Sequence, residues 1–557
     1  MSVTFLGRGA LGEAWRFALR RVGRDEGARR QTMVTIDRLA VRGRIVQGWG
    51  WALNPKRRIT GVALQYEHDG RCHVLPTEYG SPRHDVTARF PAGPNAAAVG
   101  FFLYGLLDEP LGPGCRLRWV VELAEGGHEE LSAEAPIVFL DAKRHGGLAL
   151  GLLRSYRGPG ERLLRALLPR ESRGESPEAV ARDLSRRASA VLVFDHDLGG
   201  GANLYRRGLL TRCLAEGSDC VLVRWSLTNL AYEVDVHLAS RRRGVTFGTE
   251  AALWSWLQGL AIRHVILNNL VSYPAPLALL ERLLDFVGER SLPLTVLMHD
   301  FQAICPNWTL LGDHGRPCEL PEDGGRCEAC LRVNDFQFKA VLAMKDMAQW
   351  RSVWGRVLER ASEVRCFGEP SKTLLLQAYP GLSSERVTVI PHSLEHVRNR
   401  AVRFDIHGPI RIGIVGTIAH HKGSEVVIEL AAAIRRRRVD ARVIVVGTLV
   451  SGVRPDDVTI TGPYQSAQLP ELLERERINI CLFPSIWPET FSYVCEEIVQ
   501  MGMPLVAFDL GAPAARLRTY ARGRVVPLCD AEQLLDAILD FVEELRRSSP
   551  THRAKGP

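Results

Sequence analysis

From Ala190 to the C-terminus the apolar residues come in short unbroken runs, separated by stretches in which they recur at helical spacing. The runs AVLVFD, DCVLVRWS, HVILNNL, PLTVLMHD, VRCFGE and VTVIPHS form one series. A second series begins at Ile410 with RIGIVGT, ARVIVVGT, VTITGP, NICLFPS and PLVAFDL. Strand-length apolar runs interleaved with helical patterns predict parallel sheets with crossover helices. Two such sets in succession predict two α/β domains, joined near residues 393–408 and enclosing a cleft. Met33 to about Ala142 reads differently. Its alternating runs (ITGVALQY, VGFFLYGL, RLRWVVEL) are broken by turn signals, which predicts a β-sandwich.

The expected organisation is an N-terminal amphipathic helix or tail over 1–30 and a β-sandwich-like region over 31–142. A linker with a basic helix follows over 143–188, then α/β domains over 189–400 and 401–545 and a tail over 546–557. The fold class is α/β, with two Rossmann-like domains preceded by a β-sandwich-like domain.

The polar residues at the ends of the apolar runs carry the chemistry. In open α/β sheets, ligands bind beyond the carboxyl ends of the strands. Gly199-Gly200-Gly201-Ala202-Asn203 follows VLVFD, and glycines let backbone approach a ligand at a helix N-terminus. The loop is neither a P-loop nor a dinucleotide fingerprint, and a structural tight turn explains it equally. Asn203 is a candidate for binding hydroxyls or phosphate. His299-Asp300 ends PLTVLMHD, and Gly416 ends RIGIVG ahead of Thr417 and the cations His420, His421 and Lys422. A lysine beside a helix start suits a diphosphate, although a solvated surface lysine is the plainer reading. PSIWPETFSYVCEEIVQ places Glu489 and Glu497 with seven residues between them, on a loop that opens a helix. Carboxylates suit sugar hydroxyls and free N–H groups suit phosphate. Thr490 and Ser492 are the candidate caps.

Composition narrows the classes. The chain has 557 residues, 46% of them hydrophobic and 24% charged, as in soluble globular proteins of several domains. No apolar run reaches the ~20 residues of a membrane span, and MSVTFLGRGALGEAW lacks the apolar core of an export signal. A cytoplasmic location is expected, with peripheral contact at the inner face of a membrane through the arginine clusters Arg165–Arg173 and Arg435–Arg438 as a candidate feature. Solvated helix faces account for those clusters as well. Nothing in the pattern suits nucleic acid.

Residues Ala190 to about Leu545 resemble GT-B fold, family-4-like retaining glycosyltransferases (glycosyl transferases group 1) of bacterial surface-polysaccharide type. The motifs that carry the resemblance are VGTIAHHKG, VTVIPHS, VTITGPY and FPSIWPETFSYVCEEIVQMGMPLVAFDLGA. GWGWALNP, PRHDV and VGF in the β region resemble an accessory domain of such enzymes, with Trp49 and Trp51 either stacking on carbohydrate or sitting in a core. The resemblance implies that Lys422 contacts a donor diphosphate and that Glu489 lies against sugar hydroxyls. Backbone amides around Phe491, Ser492 and Tyr493 hold sugar and phosphate, and Glu497 grips the ribose. His299 sits beside the transferred sugar, and Gly200 and Gly201 face the diphosphate. Members commonly carry arginine after the glycine at Gly416 and glycine after the loop phenylalanine; here these are Thr417 and Ser492.

Cys305, Cys318, Cys327 and Cys330 cluster with gaps of twelve, eight and two residues. A structural zinc site, unlinked thiols and a redox disulfide all fit that spacing. The expected function is transfer of a sugar from a UDP-, GDP- or dTDP-linked donor to a glycan or lipid-linked acceptor, with no cofactor required for catalysis. The alternatives are a non-catalytic glycan-binding or assembly protein on the same scaffold, and a sugar-nucleotide epimerase.

Overall fold

The computed structural model describes residues 32–68, 71–81, 99–107, 117–131, 137–140, 175–185, 189–321, 324–334, 346–394, 400–450 and 457–548, with a few single residues between them. The expected N-terminal helix or tail, most of the linker with its basic helix, and the end of the C-terminal tail lie outside the described residues. The described chain forms two compact units, one up to Thr295 and one from Val296 onward. The first thus holds the β region together with about half of the first α/β region.

Among the described residues, nine strands build the β region: β1 (Met33–Arg42), β2 (Ile45–Leu53), β3 (Ile59–His68), β4 (Arg71–Pro76), β5 (Glu78–Ser81), β6 (Gly100–Leu106), β7 (Leu117–Leu123), β8 (His128–Leu131) and β9 (Ile137–Phe139). They form a sheet of order β5-β6-β2-β1-β9 and another of order β4-β3-β7-β8. Alternation explains their pairing: on β7, Trp119, Val121 and Leu123 are buried while Glu122 is exposed. These residues share one core with Leu39, Val41, Val46 and Phe101 of the other sheet, as in a sandwich. Trp51 packs beside Phe90, with ring centres 6.3 Å apart, and Trp49 lies under the Arg38 guanidinium at 5.2 Å. Within the same unit, Arg38 donates to the Thr228 carbonyl at 2.7 Å and the Tyr104 hydroxyl donates to the Ser272 carbonyl at 3.2 Å.

The α/β part of this unit comprises α1 (Pro177–Ser185), β10 (Ala190–Asp195), α2 (Gly200–Ala215), β11 (Cys220–Ser226), β12 (Ala231–His237), β13 (Arg242–Phe247), α3 (Glu250–Gln258), β14 (Ile262–Leu267) and α4 (Pro276–Glu289). β10 pairs in parallel with β11 and β14, and all its residues are buried, as a strand covered on both faces requires. The sheet is not parallel throughout. β11, β12 and β13 are antiparallel, because AYEVDVH alternates and returns through a short turn rather than a helix.

β15 (Leu294–Leu297) contains the division between the units. The second unit continues through α5 (Gly324–Val333), α6 (Met347–Arg360), β16 (Glu363–Cys366), α7 (Glu369–Ala378), β17 (Val387–Val389), β18 (Ile410–Ile418), α8 (Ser424–Arg437), β19 (Ala441–Leu449) and β20 (Val458–Ile460). It ends with α9 (Leu469–Arg475), β21 (Ile480–Phe483), α10 (Tyr493–Gln500), β22 (Leu505–Phe508), α11 (Gly511–Leu517), β23 (Gly523–Val526) and α12 (Ala531–Ser548). Six of these strands form a fully parallel sheet of order β20-β19-β18-β21-β22-β23. That is the doubly wound order, and its direction reverses between β18 and β21. The loops leaving those two strands therefore flank the crevice where such sheets bind ligands. The fold is α/β, with a β-rich region ahead of it, as expected. Arg436 and Arg437 pair with Glu532 and Asp536 of α12, and Arg435 pairs with Asp457, so this arginine cluster is engaged by the protein's own carboxylates. No helix among the described residues is long and apolar enough to cross a membrane.

Candidate functional site

Gly416 (φ 116°) lies within β18, two residues before its end, and the loop after the strand turns at Gly423 (φ 82°); both are positive-φ conformations that favour glycine. A Cβ on Gly423 would lie 2.1 Å from the Pro484 carbonyl oxygen, so the loops after β18 and β21 touch backbone to backbone. Lys422 stands between them, 38% exposed, with Nζ 3.9 Å from Glu489 Oε1. α8 starts at Ser424 with Gly423 as its N-cap and no side-chain cap. His421 is half-buried, and burial holds its imidazole well below the usual pKa, so it is neutral. His420 Nδ1 lies 2.8 Å from Glu425 Oε2. Lys422 faces Glu489 of the acidic loop, and the His421 ring meets Trp487 of the same loop edge to face at 6.0 Å.

The loop after β21 is fixed at several points. Ile486 N–H donates to the His421 carbonyl, and Ala512 N–H donates to the Glu489 carbonyl at 2.8 Å. Glu489 is buried at 4% exposure and accepts from the Ser485 hydroxyl at 3.0 Å. A buried carboxylate held by one hydroxyl and one ammonium retains acceptor positions for a ligand. Ser492, rather than Thr490, caps α10, accepting from Cys495 N–H at 3.3 Å. Thr490 donates instead to the His299 carbonyl at 2.7 Å. The first-turn N–H groups of α10 have no intrahelical acceptor, and the helix dipole adds positive potential there. Lys422, Ser485, Glu489 and Val494 line one pocket.

Glu497 lies one turn into α10, buried, 2.5 Å from the Ser466 hydroxyl. Burial pushes its carboxyl pKa up, while the Ser466 hydrogen bond pulls it down. Glu496, its neighbour, pairs with Arg516 at 3.1 Å. On the other side of the loop, Gly416 and Thr417 register with Gly447 and Thr448, whose hydroxyl donates to Thr417 at 3.2 Å. A Cβ on Gly447 would meet the Gly416 carbonyl at 2.0 Å.

The structure brings His299 to the same loop. Its ring stacks on Phe367 at 4.5 Å, and its carbonyl holds Thr490. Asp300 accepts from Gln302 N–H at 2.8 Å and so closes the turn after β15. Phe491 and Tyr493 converge on His392, which motif reading left without a role. Ser466 and Ser485 also escaped it. The one signal for Ser485 was its place immediately after an apolar strand.

The first glycine loop, in the other unit, is built differently. Gly199 and Gly200 take φ values of 82° and 78°. Asn203 is buried, and its amide donates to Asp195 Oδ2 (3.1 Å) and the His196 carbonyl (2.9 Å) while accepting from Gly199 N–H (2.7 Å). The side chain read as a ligand contact therefore shapes the loop, because a short amide at this turn reaches three local partners. Arg206 completes the network, donating to Asp195 and to the His196 carbonyl, each at 2.7 Å.

The four clustered cysteines are free and partly buried. Leu320 N–H points at Cys318 Sγ at 3.4 Å, and the Asn334 amide points at Cys330 Sγ at 3.4 Å. Burial pushes the Cys305 thiol up to about 12, with Cys318, Cys327 and Cys330 adding to the effect. Among the described residues, no group of three His, Cys, Asp or Glu stands in position to hold a metal ion.

A doubly wound sheet with a cation, two carboxylates and a helix N-terminus at its switch point defines an α/β domain suited to a phosphorylated, hydroxyl-rich ligand. Residues 398–554, which take in β18 to β23, match the family model described as Glycosyl transferases group 1. No curated protein matches the chain. Among solved structures, HepE from Anabaena in complex with UDP and glucose is similar at 16% identity and a TM-score of 0.41, covering 64% of this chain and 91% of that one. Sucrose-phosphate synthase from Thermosynechococcus elongatus gives 16% identity and 0.41, covering 64% and 90%. A glycosyltransferase from Rickettsia africae gives 12% and 0.35, covering 64% and 89%.

Proposed function

We propose that the chain is a glycosyltransferase that moves a sugar from a UDP-, GDP- or dTDP-linked donor to a glycan or lipid-linked acceptor in cell-surface polysaccharide synthesis. Transfer retains the anomeric configuration and takes place in the cytoplasm, at the inner face of the membrane where the acceptor is lipid-linked. One observation carries the reading. Lys422, Glu489 and Glu497 bracket the first turn of α10 at the switch point of the glycosyl transferases group 1 domain.

In this reading Lys422 and the first-turn N–H groups of α10 hold the diphosphate. Glu489, fixed by Ser485, accepts from sugar hydroxyls, and Glu497 accepts from the ribose. The protein's part is electrostatic. As the bond to the sugar breaks, negative charge grows on the leaving diphosphate, where the ammonium and the helix end already point. The diphosphate oxygen takes the acceptor's proton, so no protein base and no cofactor is required. His299 borders the transferred sugar.

A thermal-shift and transfer screen across UDP-, GDP- and dTDP-sugars tests this. One nucleotide should raise the melting temperature, by about 2.7 kcal/mol of stabilisation at a hundred times its Kd, and its sugar should be transferred. Failure of every nucleotide to stabilise the protein sinks the reading. Thr417, whose hydroxyl is paired with Thr448 where the resembled family carries an arginine, favours a second reading as a non-catalytic binding protein. Nucleotide binding without turnover of any sugar would establish that alternative. A structural zinc gathered by Cys305, Cys318, Cys327 and Cys330 is a separate proposal. Stoichiometric zinc in the purified protein, lost on Cys327→Ser, supports it, and absence of zinc dismisses it.

A further inference from the structure

We infer that His392 is a positioning residue that sets the first turn of α10, and through it the donor-binding groups; the inference rests on the transferase reading above. His392 lies in the turn after β17 and is buried. Its ring stacks face to face on Phe491, with centres 4.3 Å apart and planes 17° apart. Its Nδ1 shares a hydrogen bond with the Tyr493 hydroxyl at 2.8 Å. Phe367 meets it edge to face at 4.1 Å and also stacks on His299. His392 and His299 approach edge to face at 5.3 Å. One imidazole thus joins three segments of the second unit: the strand end carrying His299, the turn after β16, and the start of α10.

Phe491 and Tyr493 flank Ser492, the cap of α10. Holding both rings fixes the direction in which the helix opens, and hence where its N–H groups and Glu489 point. The stack supplies area and the hydrogen bond supplies orientation, so the two are separable by substitution. Phe491 and Tyr493 meet each other edge to face, at 5.1 Å. A group that fixes geometry without touching the reacting atoms should act on turnover more than on donor affinity, because small misplacements cost rate steeply.

The test compares His392→Phe, which keeps the stack, with Tyr493→Phe, the double variant and His392→Asn. Both single variants should lower kcat/KM about ten- to a hundredfold, chiefly in kcat, with unchanged melting temperature. The double variant should be no worse than either, since both remove one hydrogen bond, and His392→Asn should recover part of the loss. Multiplying losses, wild-type turnover in His392→Phe, or a melting-temperature drop that tracks the activity loss would each overturn the inference. If the wild-type protein turns over no donor, the transferase reading falls and positioning is read from UDP and GDP binding. Weaker binding by His392→Phe then supports the inference, and equal binding or none at all overturns it.

Discussion

Two glycine loops, one in each unit, lead from a buried strand into a helix that lacks a side-chain cap: β10 to α2 and β18 to α8. They look alike in sequence and differ in what their polar side chains do. In the first, Asp195, His196, Asn203 and Arg206 are joined in a buried network that shapes the turn. In the second, the backbone is shaped by contact with the neighbouring loop at Pro484, and Lys422 keeps its ammonium partly exposed beside Glu489. A glycine loop can therefore be held by its own side chains or by another loop.

Substituting the glycines breaks this comparison most sharply. Gly423→Ala meets both a positive φ and the Pro484 carbonyl at 2.1 Å, which cannot give way cheaply because it is backbone. The second unit should lose about 4 kcal/mol or more of stability, and nucleotide binding with it. Gly200→Ala has the same sign of φ but open space around the new methyl. It should cost only about 1–2 kcal/mol. Denaturant unfolding of the two variants checks the contrast, and equal losses would show that the second loop is not braced by Pro484.

Side-chain substitution gives the next largest effects, and they should fall on different observables. Lys422→Ala removes a partly exposed cation, so turnover should drop about 10²–10³-fold while the melting temperature holds. Asn203→Ala leaves Asp195 and Gly199 N–H short of a partner inside the first loop and should cost about 2–4 kcal/mol of stability. Near-wild-type transfer by Lys422→Ala would remove the lysine from the donor site. An Asn203→Ala protein of normal stability and lost activity would restore the ligand role that its residue type suggests.

The elements whose signal is local were legible in the sequence. Apolar runs marked β10, β18, β19, β21 and β22, and the acidic loop and its helix fell where polarity and capping residues placed them. The strand order was not legible, because it depends on which strands pack side by side, and that order is what puts the loops after β18 and β21 at one crevice. The β12–β13 hairpin was not among the runs picked out in the sequence, because its alternating pattern lacks the unbroken apolar stretch that marked the others. The local hydrogen bonds of Asn203 were not legible, because residue type does not say which partners an amide reaches. His392, Ser466 and Ser485 have partners 101, 31 and 4 residues away, distances that motif spacing captures poorly.

The smallest expected effect concerns what the two loops share. Each carries a histidine kept neutral by burial: His196, whose Nδ1 accepts from Leu198 N–H at 3.0 Å, and His421. Both have folded-state pKa values below the ordinary 6.5, so on acidification the unfolded chain takes up these protons first. Stability tied to them is complete above pH 6.5 and is lost as the pH falls below 6.5 toward the folded values, by at most about 1.4 kcal/mol per pH unit for each ring. His421→Asn should remove one proton from that slope, seen as a flatter dependence of unfolding free energy on pH between about 6.5 and 5, with the slope due to His196 retained. Because the two rings lie in different units, following each unit's unfolding separately assigns each proton to its loop. A slope unchanged by His421→Asn would mean that its ring becomes protonated in the folded protein. It would then be a second cation beside Lys422, and the contrast between the loops would be larger than drawn here.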